Sequence, residues 1–234
     1  MSFVRGTFPS VVPFNPKAYS YIFEDYLSTT VPTWATSAGS GGSILQSGTH
    51  TTDTNIGMIG LYTGTTTTGR AALISHVDAV RFGANEWTFE TRANIDALST
   101  ATDTFTTRFG FMDASTGDPT DGHYFRYTHG TNSGKWQAVT RINAVETASD
   151  TGQTAQAMSS GSPMLRFKII VENTGTNVDF FINDKRVVTH KPSGFTGASR
   201  LTGIGYSQIK TAGTTTRALF VDYTLIICKL GSNR

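Results

Sequence analysis

A chain of 234 residues with 38% hydrophobic and 15% charged side chains holds enough apolar material for one sizeable core. Its formal net charge of +2, from 19 basic and 17 acidic residues, gives neither nucleic acid nor an anionic membrane an electrostatic hold. The single Cys228 excludes an intrachain disulfide and any Cys-based zinc site, and no stretch approaches the roughly 18 apolar residues of a membrane-spanning helix.

The composition is rich in Gly, Thr and aromatic residues and poor in helix formers, which predicts an all-β domain. The first segment, Met1 to Pro9, lacks a continuous apolar run of the secretory type, so the expectation is a chain made in the cytoplasm. Residues 1–20 carry Pro9, Pro13 and Pro16 among Phe3, Phe8, Val11, Val12 and Phe14, which predicts an extended arm. An arm this apolar is expected to lie on its own domain or on a neighbouring subunit. Residues 21–234 are expected to form one β-sandwich domain.

From residue 21 onward, short runs of period two recur between Gly, Ser, Asp, Asn and Thr clusters. Residues 36–55 read as a polar loop. In 87–96, Trp87, Phe89, Ala93 and Ile95 share one face, opposite Glu90, Arg92 and Asn94. The same design sets Phe105, Phe109 and Phe111 opposite Arg108, Phe125 and Tyr127 opposite Tyr124 and Arg126, and Trp136, Ala138 and Ile142 opposite Gln137 and Arg141. Residues 145–162 show no sustained apolar stripe and read as a long polar loop. A hairpin follows: 165–171, then Val178, Phe180 and Ile182, the turn Asn183-Asp184-Lys185, and Val187-Val188. The last run, 217–229, is apolar on both faces. Leu219, Val221, Tyr223, Leu225 and Ile227 fall on one side, and Ala218, Phe220, Ile226 and Cys228 on the other, which predicts a central strand with Cys228 buried.

The early Phe23-Glu-Asp-Tyr-Leu, the hairpin Leu165-Arg-Phe-Lys-Ile-Ile-Val … Val178-Asp-Phe-Phe-Ile and the closing Phe220-Val-Asp-Tyr-Thr-Leu-Ile together resemble the concanavalin A-like lectin/glucanase jelly-roll, over residues 21–230. The resemblance implies a single antiparallel β-sandwich. That superfold includes lectins, laminarin-degrading glycosidases and compact domains of tailed-phage virions, so the site has to decide among them. The glycosidases carry Glu-x-Asp-x-Glu on one strand face. Here Glu86-Trp-Thr88-Phe-Glu90 matches the ends and puts Thr at the centre, so catalysis is not expected. The lectins hold calcium in an acidic, His-containing loop. Asp113-Ala-Ser-Thr-Gly-Asp118-Pro-Thr-Asp121-Gly-His123 has that composition without the ligand series, and reads as a strand connection with no metal.

Two surfaces remain as candidates. Arg92, Arg108, Tyr124, Arg126 and Arg141, with Glu90 and Gln137, are expected on the outward faces of four alternating strands; if these are neighbours, they form one guanidinium-rich face for a protein or glycan partner. The arm residues Phe3, Phe8, Val11, Val12 and Phe14 are expected to contact a second subunit or a shell. The resulting expectation is a non-enzymatic structural protein of a tailed-phage virion: a capsid decoration protein on the virion surface, without cofactor. It is expected to bind itself, as a homo-oligomer that analogy makes a trimer, and a major virion protein. The alternatives are a carbohydrate-binding tail-fibre or receptor-binding module and, more weakly, a glycoside hydrolase.

Overall fold

A computed structural model of the chain describes residues 18–27, 32, 35–46, 57–158, 161–193 and 200–231. Phe3, Phe8, Val11, Val12 and Phe14 lie outside the described residues. Two antiparallel sheets face each other. Sheet A runs in the order β14 (Lys185–His190), β13 (Val178–Ile182), β12 (Leu165–Val171), β7 (Glu86–Ile95), β16 (Ala218–Lys229), β4 (Ile59–Tyr62) and β3 (Ser43–Gln46). In addition, β1 (Tyr19–Glu24) pairs with the second half of β16, where β4 no longer reaches. Sheet B runs β11 (Val145–Thr154), β10 (Lys135–Ile142), β9 (Gly122–Thr128), β8 (Thr104–Met112), β15 (Leu201–Ala212), β5 (Arg70–Ser75) and β2 (Ala35–Ser40), with β6 (Val80–Arg81) on β15.

The alternation read from the sequence becomes the packing between the sheets. Phe89, Ile95, Phe105, Phe109, Phe111, Phe125, Trp136, Phe167 and Phe180 are all buried in one core. Phe109 sits at its middle, with ring centroids 4.8 Å from Phe167, 5.3 Å from Trp136 and 5.8 Å from Phe125. Edge-to-face and tilted contacts of this kind suit the quadrupoles of the rings and add to the area they remove from water. The hairpin turn Asn183-Asp184 has φ of 49° and 65°, the doubly left-handed pair that a two-residue hairpin needs.

Three expectations are corrected. Residues 145–154 form strand β11 instead of a loop: Asn143 and Ala144 (φ 51° and 63°) turn the chain tightly back, and β11 pairs with β10 as the sheet edge. An edge strand needs no apolar alternation to pair, because its ladder bonds run through the backbone. Of residues 36–55, expected to form a polar loop, 36–40 fall in β2 and 43–46 form β3, while 47–55 lie outside the described residues. In β16 a bulge between Val221 and Tyr223 reverses the faces. Leu219 and Val221 point into the core, but beyond Asp222 it is Thr224, Ile226 and Cys228 that do so. Tyr223, Leu225 and Ile227 are turned outward. Cys228 is buried, as expected.

Candidate functional site

The reversal in β16 turns Tyr223, Leu225 and Ile227 to the outer side of sheet A, where they join Tyr21 and Phe23 of β1 in an apolar patch that Thr88 and Glu90 of β7 separate from Ile170 and Phe181. Strand register aligns Tyr21, Ile227, Thr88, Ile170 and Asp179 in one row across five strands, and Phe23, Leu225, Glu90, Lys168 and Phe181 in the next. Tyr21 is 54% exposed. Phe23, Ile170, Phe181, Tyr223, Leu225 and Ile227 are half-buried. Leu45, 55% exposed, extends the same side through Gly60 and Phe220.

Charged groups in the middle of this face are engaged with each other. Tyr223 Oη donates to Glu90 Oε1 at 2.7 Å, and Lys168 Nζ lies 3.5 Å from Glu90 Oε2 and 5.4 Å from the centre of the Phe181 ring. Burial, reinforced by the Glu90 charge, pushes the Tyr223 phenol well above its usual range. Arg92 Nη1 donates to Asp222 Oδ2 at 3.1 Å, and burial nevertheless pushes Asp222 up to about 6. Arg166 pairs with Asp184. Glu86 and Glu90 share the face with Thr88 between them, about 13 Å apart along a regular strand, whereas a retaining glycosidase holds its carboxyl groups at about 5–5.5 Å.

The guanidinium face expected from the sequence is divided. Glu90 and Arg92 belong to sheet A, while Arg108, Tyr124, Arg126, Gln137 and Arg141 belong to the outer side of sheet B, because β7 joins β12 and β16 instead of β8. On sheet B the charges form a chain. Asp118 pairs with Arg108 and with Arg141 at 3.4 Å, and Glu146 accepts from Arg141 at 3.4 Å and from both terminal nitrogens of Arg126 at 2.7 and 2.8 Å. Arg126 also reaches Gln137 Oε1. Tyr124 is fully buried with Met112 and Val139, and burial pushes its phenol up to about 12. These Arg side chains are largely matched by carboxylates of their own chain.

The acidic loop is spent in the same way. Asp113 accepts from the backbone N–H groups of Thr120 and Asp121, closing the loop on itself. Asp121 accepts from Asn143 N and from Arg200 Nη1 at 2.7 Å. His123 turns into the core. Among the described residues no group of three or more His, Cys, Asp or Glu is placed to hold a metal ion.

His123 instead joins a polar thread that the sequence did not reveal. Its Nδ1 lies 3.0 Å from Thr140 Oγ1, which is 2.9 Å from His190 Nδ1, while His190 Nε2 lies 3.0 Å from Ser149 Oγ. Burial holds the His123 pKa down, with the nearby His190 adding to it, to about 3; burial lowers His190 as well. Both rings are therefore neutral at pH 7. The thread backs a cavity of about 540 Å³ between β10 and the edge strand β11 of sheet B and the edge strand β14 of sheet A. The signal in the sequence was a polar Thr140 in a core-facing slot between Ala138 and Ile142.

Residues 54–222 match the family described as SO2946-like, C-terminal domain. The chain belongs to this family. A similar solved structure is the protein of unknown function SO2946 from Shewanella oneidensis MR-1, with a TM-score of 0.63 and 11% identity over 93% of this chain and 90% of that one. The Emp47p carbohydrate recognition domain gives 0.62 and 11% over 92% and 98%. The endo-1,3-beta-glucanase from Streptomyces sioyaensis gives 0.59 and 11% over 93% and 99%. No curated protein matches the sequence. At these identities the likeness is one of fold: this is a concanavalin A-like lectin/glucanase-type sandwich, a frame shared by binding modules and enzymes alike.

Proposed function

We propose that this protein is a non-catalytic structural subunit that assembles with copies of itself on a larger particle, as a decoration protein on the capsid surface of a tailed-phage virion. The observation that carries the reading is the outer face of sheet A, where Tyr21, Phe23, Leu225 and Ile227 lie side by side, with Ile170 and Phe181 beyond strand β7, and all six remain partly open to solvent. Clustered, partly exposed apolar side chains of this kind are a mark of a contact site. Its occupant, on this reading, is residues 1–17 of a second copy. That segment carries Phe3, Phe8, Val11, Val12 and Phe14 and leads directly into β1, the strand that borders the face. Seventeen extended residues span up to about 56 Å, against about 19 Å for five strands at their usual spacing, so an exchanged arm can cross the face with length to spare.

The non-catalytic part of the reading is supported by Glu90, whose carboxylate is held by Tyr223 and Lys168. The virion setting and a major virion protein as second partner rest on the resemblance of the sequence to a superfold that includes domains of tailed-phage virions, and the trimeric state rests on analogy with decoration proteins. Light scattering on the full chain tests the assembly: a mass of at least twice 25.2 kDa, at a whole multiple of it, is expected. A 25.2 kDa species at high micromolar concentration contradicts it.

A second reading, carbohydrate recognition, is favoured by one specific observation: the cavity between β10, β11 and β14 is lined by hydroxyl groups beside an apolar patch.

A further inference from the structure

We infer that this cavity is a binding site for a single carboxylate-bearing sugar residue, with Lys191 as the cation that selects the acid. The inference rests on the carbohydrate reading and sharpens it. The wall from sheet B carries Thr147 beside Ile142 and Val145, and the wall from sheet A continues beyond β14 into Lys191, Pro192 and Ser193. The lining contains one Lys and no Asp or Glu, so the site is positive where the protein as a whole is close to neutral.

Apart from Thr189, whose hydroxyl donates to Asp179 outside the lining, the polar groups divide into two kinds. Thr140 and His190 form the back of the cavity, and their hydrogen bonds to His123 and Ser149 fix the imidazole in place. A wall held in this way does not reorganise when a ligand enters. By contrast, the Thr147 and Ser193 hydroxyls and the Lys191 ammonium make no hydrogen bond or ion pair among the described residues.

The same lining holds an apolar set, Ile142, Val145 and Pro192. A pyranose ring has the matching character, with a C–H face for the apolar set and a hydroxyl edge for Thr147 and Ser193. A carboxylate at C5 supplies the partner for Lys191 through a charge-assisted hydrogen bond. Inorganic phosphate satisfies the ammonium but leaves the apolar wall uncovered. A cavity of about 540 Å³ lies in the range of small-ligand sites and admits one such residue with room for its glycosidic neighbour.

The test is a titration of the full chain, followed by amide chemical shifts, with methyl β-D-glucuronide, methyl β-D-glucoside and inorganic phosphate in parallel, on wild type and Lys191→Gln. Lys191 is exposed, so its substitution leaves the fold intact. Glucuronide is expected to bind more tightly than glucoside, with shifts at Thr147, Lys191 and Ser193. Lys191→Gln is expected to weaken glucuronide about fivefold and leave glucoside unchanged. Equal binding of glucoside and glucuronide, or indifference to Lys191→Gln, overturns the acid selectivity and leaves the carbohydrate reading standing. Phosphate binding as tight as glucuronide reduces the site to an anion site and overturns the sugar. Shifts confined to the outer face of either sheet overturn the location. Absence of binding by both sugars overturns the carbohydrate reading itself.

Discussion

His190 Nδ1 lies 2.9 Å from Thr140 Oγ1, a hydrogen bond that ties the edge strand of one sheet to the second strand of the other. The bond crosses the sandwich at the margin of an aromatic core, with Phe180 5.3 Å from the His190 ring and Phe82 5.2 Å from the His123 ring. Thr140→Val keeps the shape and removes the hydroxyl that both imidazoles share. Stability is expected to fall by about 1–3 kcal/mol in urea unfolding, because two buried ring nitrogens lose their partner together. Thr140→Ser is expected to recover most of the loss.

The same thread gives stability an acid limb. With His123 held at about 3 in the fold and near 6.5 in the unfolded chain, the fold favours the neutral ring. Its contribution is complete above pH 6.5 and is lost as pH falls towards 3. A pH series of urea midpoints is expected to decline over that window, and the decline is expected to be shallower in His123→Phe.

Asp222 works with the opposite sign. Burial raises it to about 6 in the fold against about 3.9 unfolded, so the fold favours the protonated acid. Its contribution is complete below about 3.9 and is lost as pH rises through 6, on the order of 2 kcal/mol once the solvent access of Arg92 is allowed for. Asp222→Asn is expected to abolish this component, which shows as a higher melting temperature relative to wild type at pH 8 than at pH 4.

On sheet B, Asp118 compensates Arg108, whose side chain is 9% exposed, and also reaches Arg141. Asp118→Asn is expected to cost about 1–2 kcal/mol, more than a surface pair and less than a fully buried one, since Asp118 itself is half open to water. Glu146→Gln leaves Arg126 with Gln137 and is expected to cost less. Thermal melts of both variants give the ranking.

The turn between β10 and β11 leaves room for improvement. Ala144 sits at φ 63°, a conformation that costs a residue with a Cβ about 1 kcal/mol and costs glycine nothing. Ala144→Gly is therefore expected to raise stability by about 0.5–1 kcal/mol, read as a higher urea midpoint.

That turn also explains what could be read from the sequence and what could not. Strands with one wet and one dry face, such as 87–95 and 104–112, announce themselves by alternation, and the turn Asn183-Asp184 by residues that tolerate positive φ. Strand β11 had no such sign, since Val145 to Thr154 is polar on both sides and its turn uses Ala144, a residue not associated with positive φ. The faces of β16 were misassigned because a bulge at Asp222 adds one residue, and an alternation rule carried across an added residue inverts every side chain beyond it. The guanidinium face failed for a different reason. Alternation tells which side a residue points to, but not which strands are neighbours, and the route of the chain sends β7 and β8 to different sheets. The cavity near His190 depends on β10, β11 and β14 meeting at one edge, a relation between residues as far apart as 140 and 190.

The central claim is that the outer face of sheet A is the surface through which the protein assembles. The most direct measurement is the molar mass by light scattering of the full chain beside Tyr21→Ser/Ile170→Thr, at equal concentration, with circular dichroism melts as the check on folding. Both positions lie on that face and outside the core, and the replacements are small enough for the strands to stay paired. The account predicts a wild-type mass at a multiple of 25.2 kDa and a variant shifted to 25.2 kDa with a near-native melt. A monomeric wild type, or a variant that keeps the full oligomer mass, contradicts it.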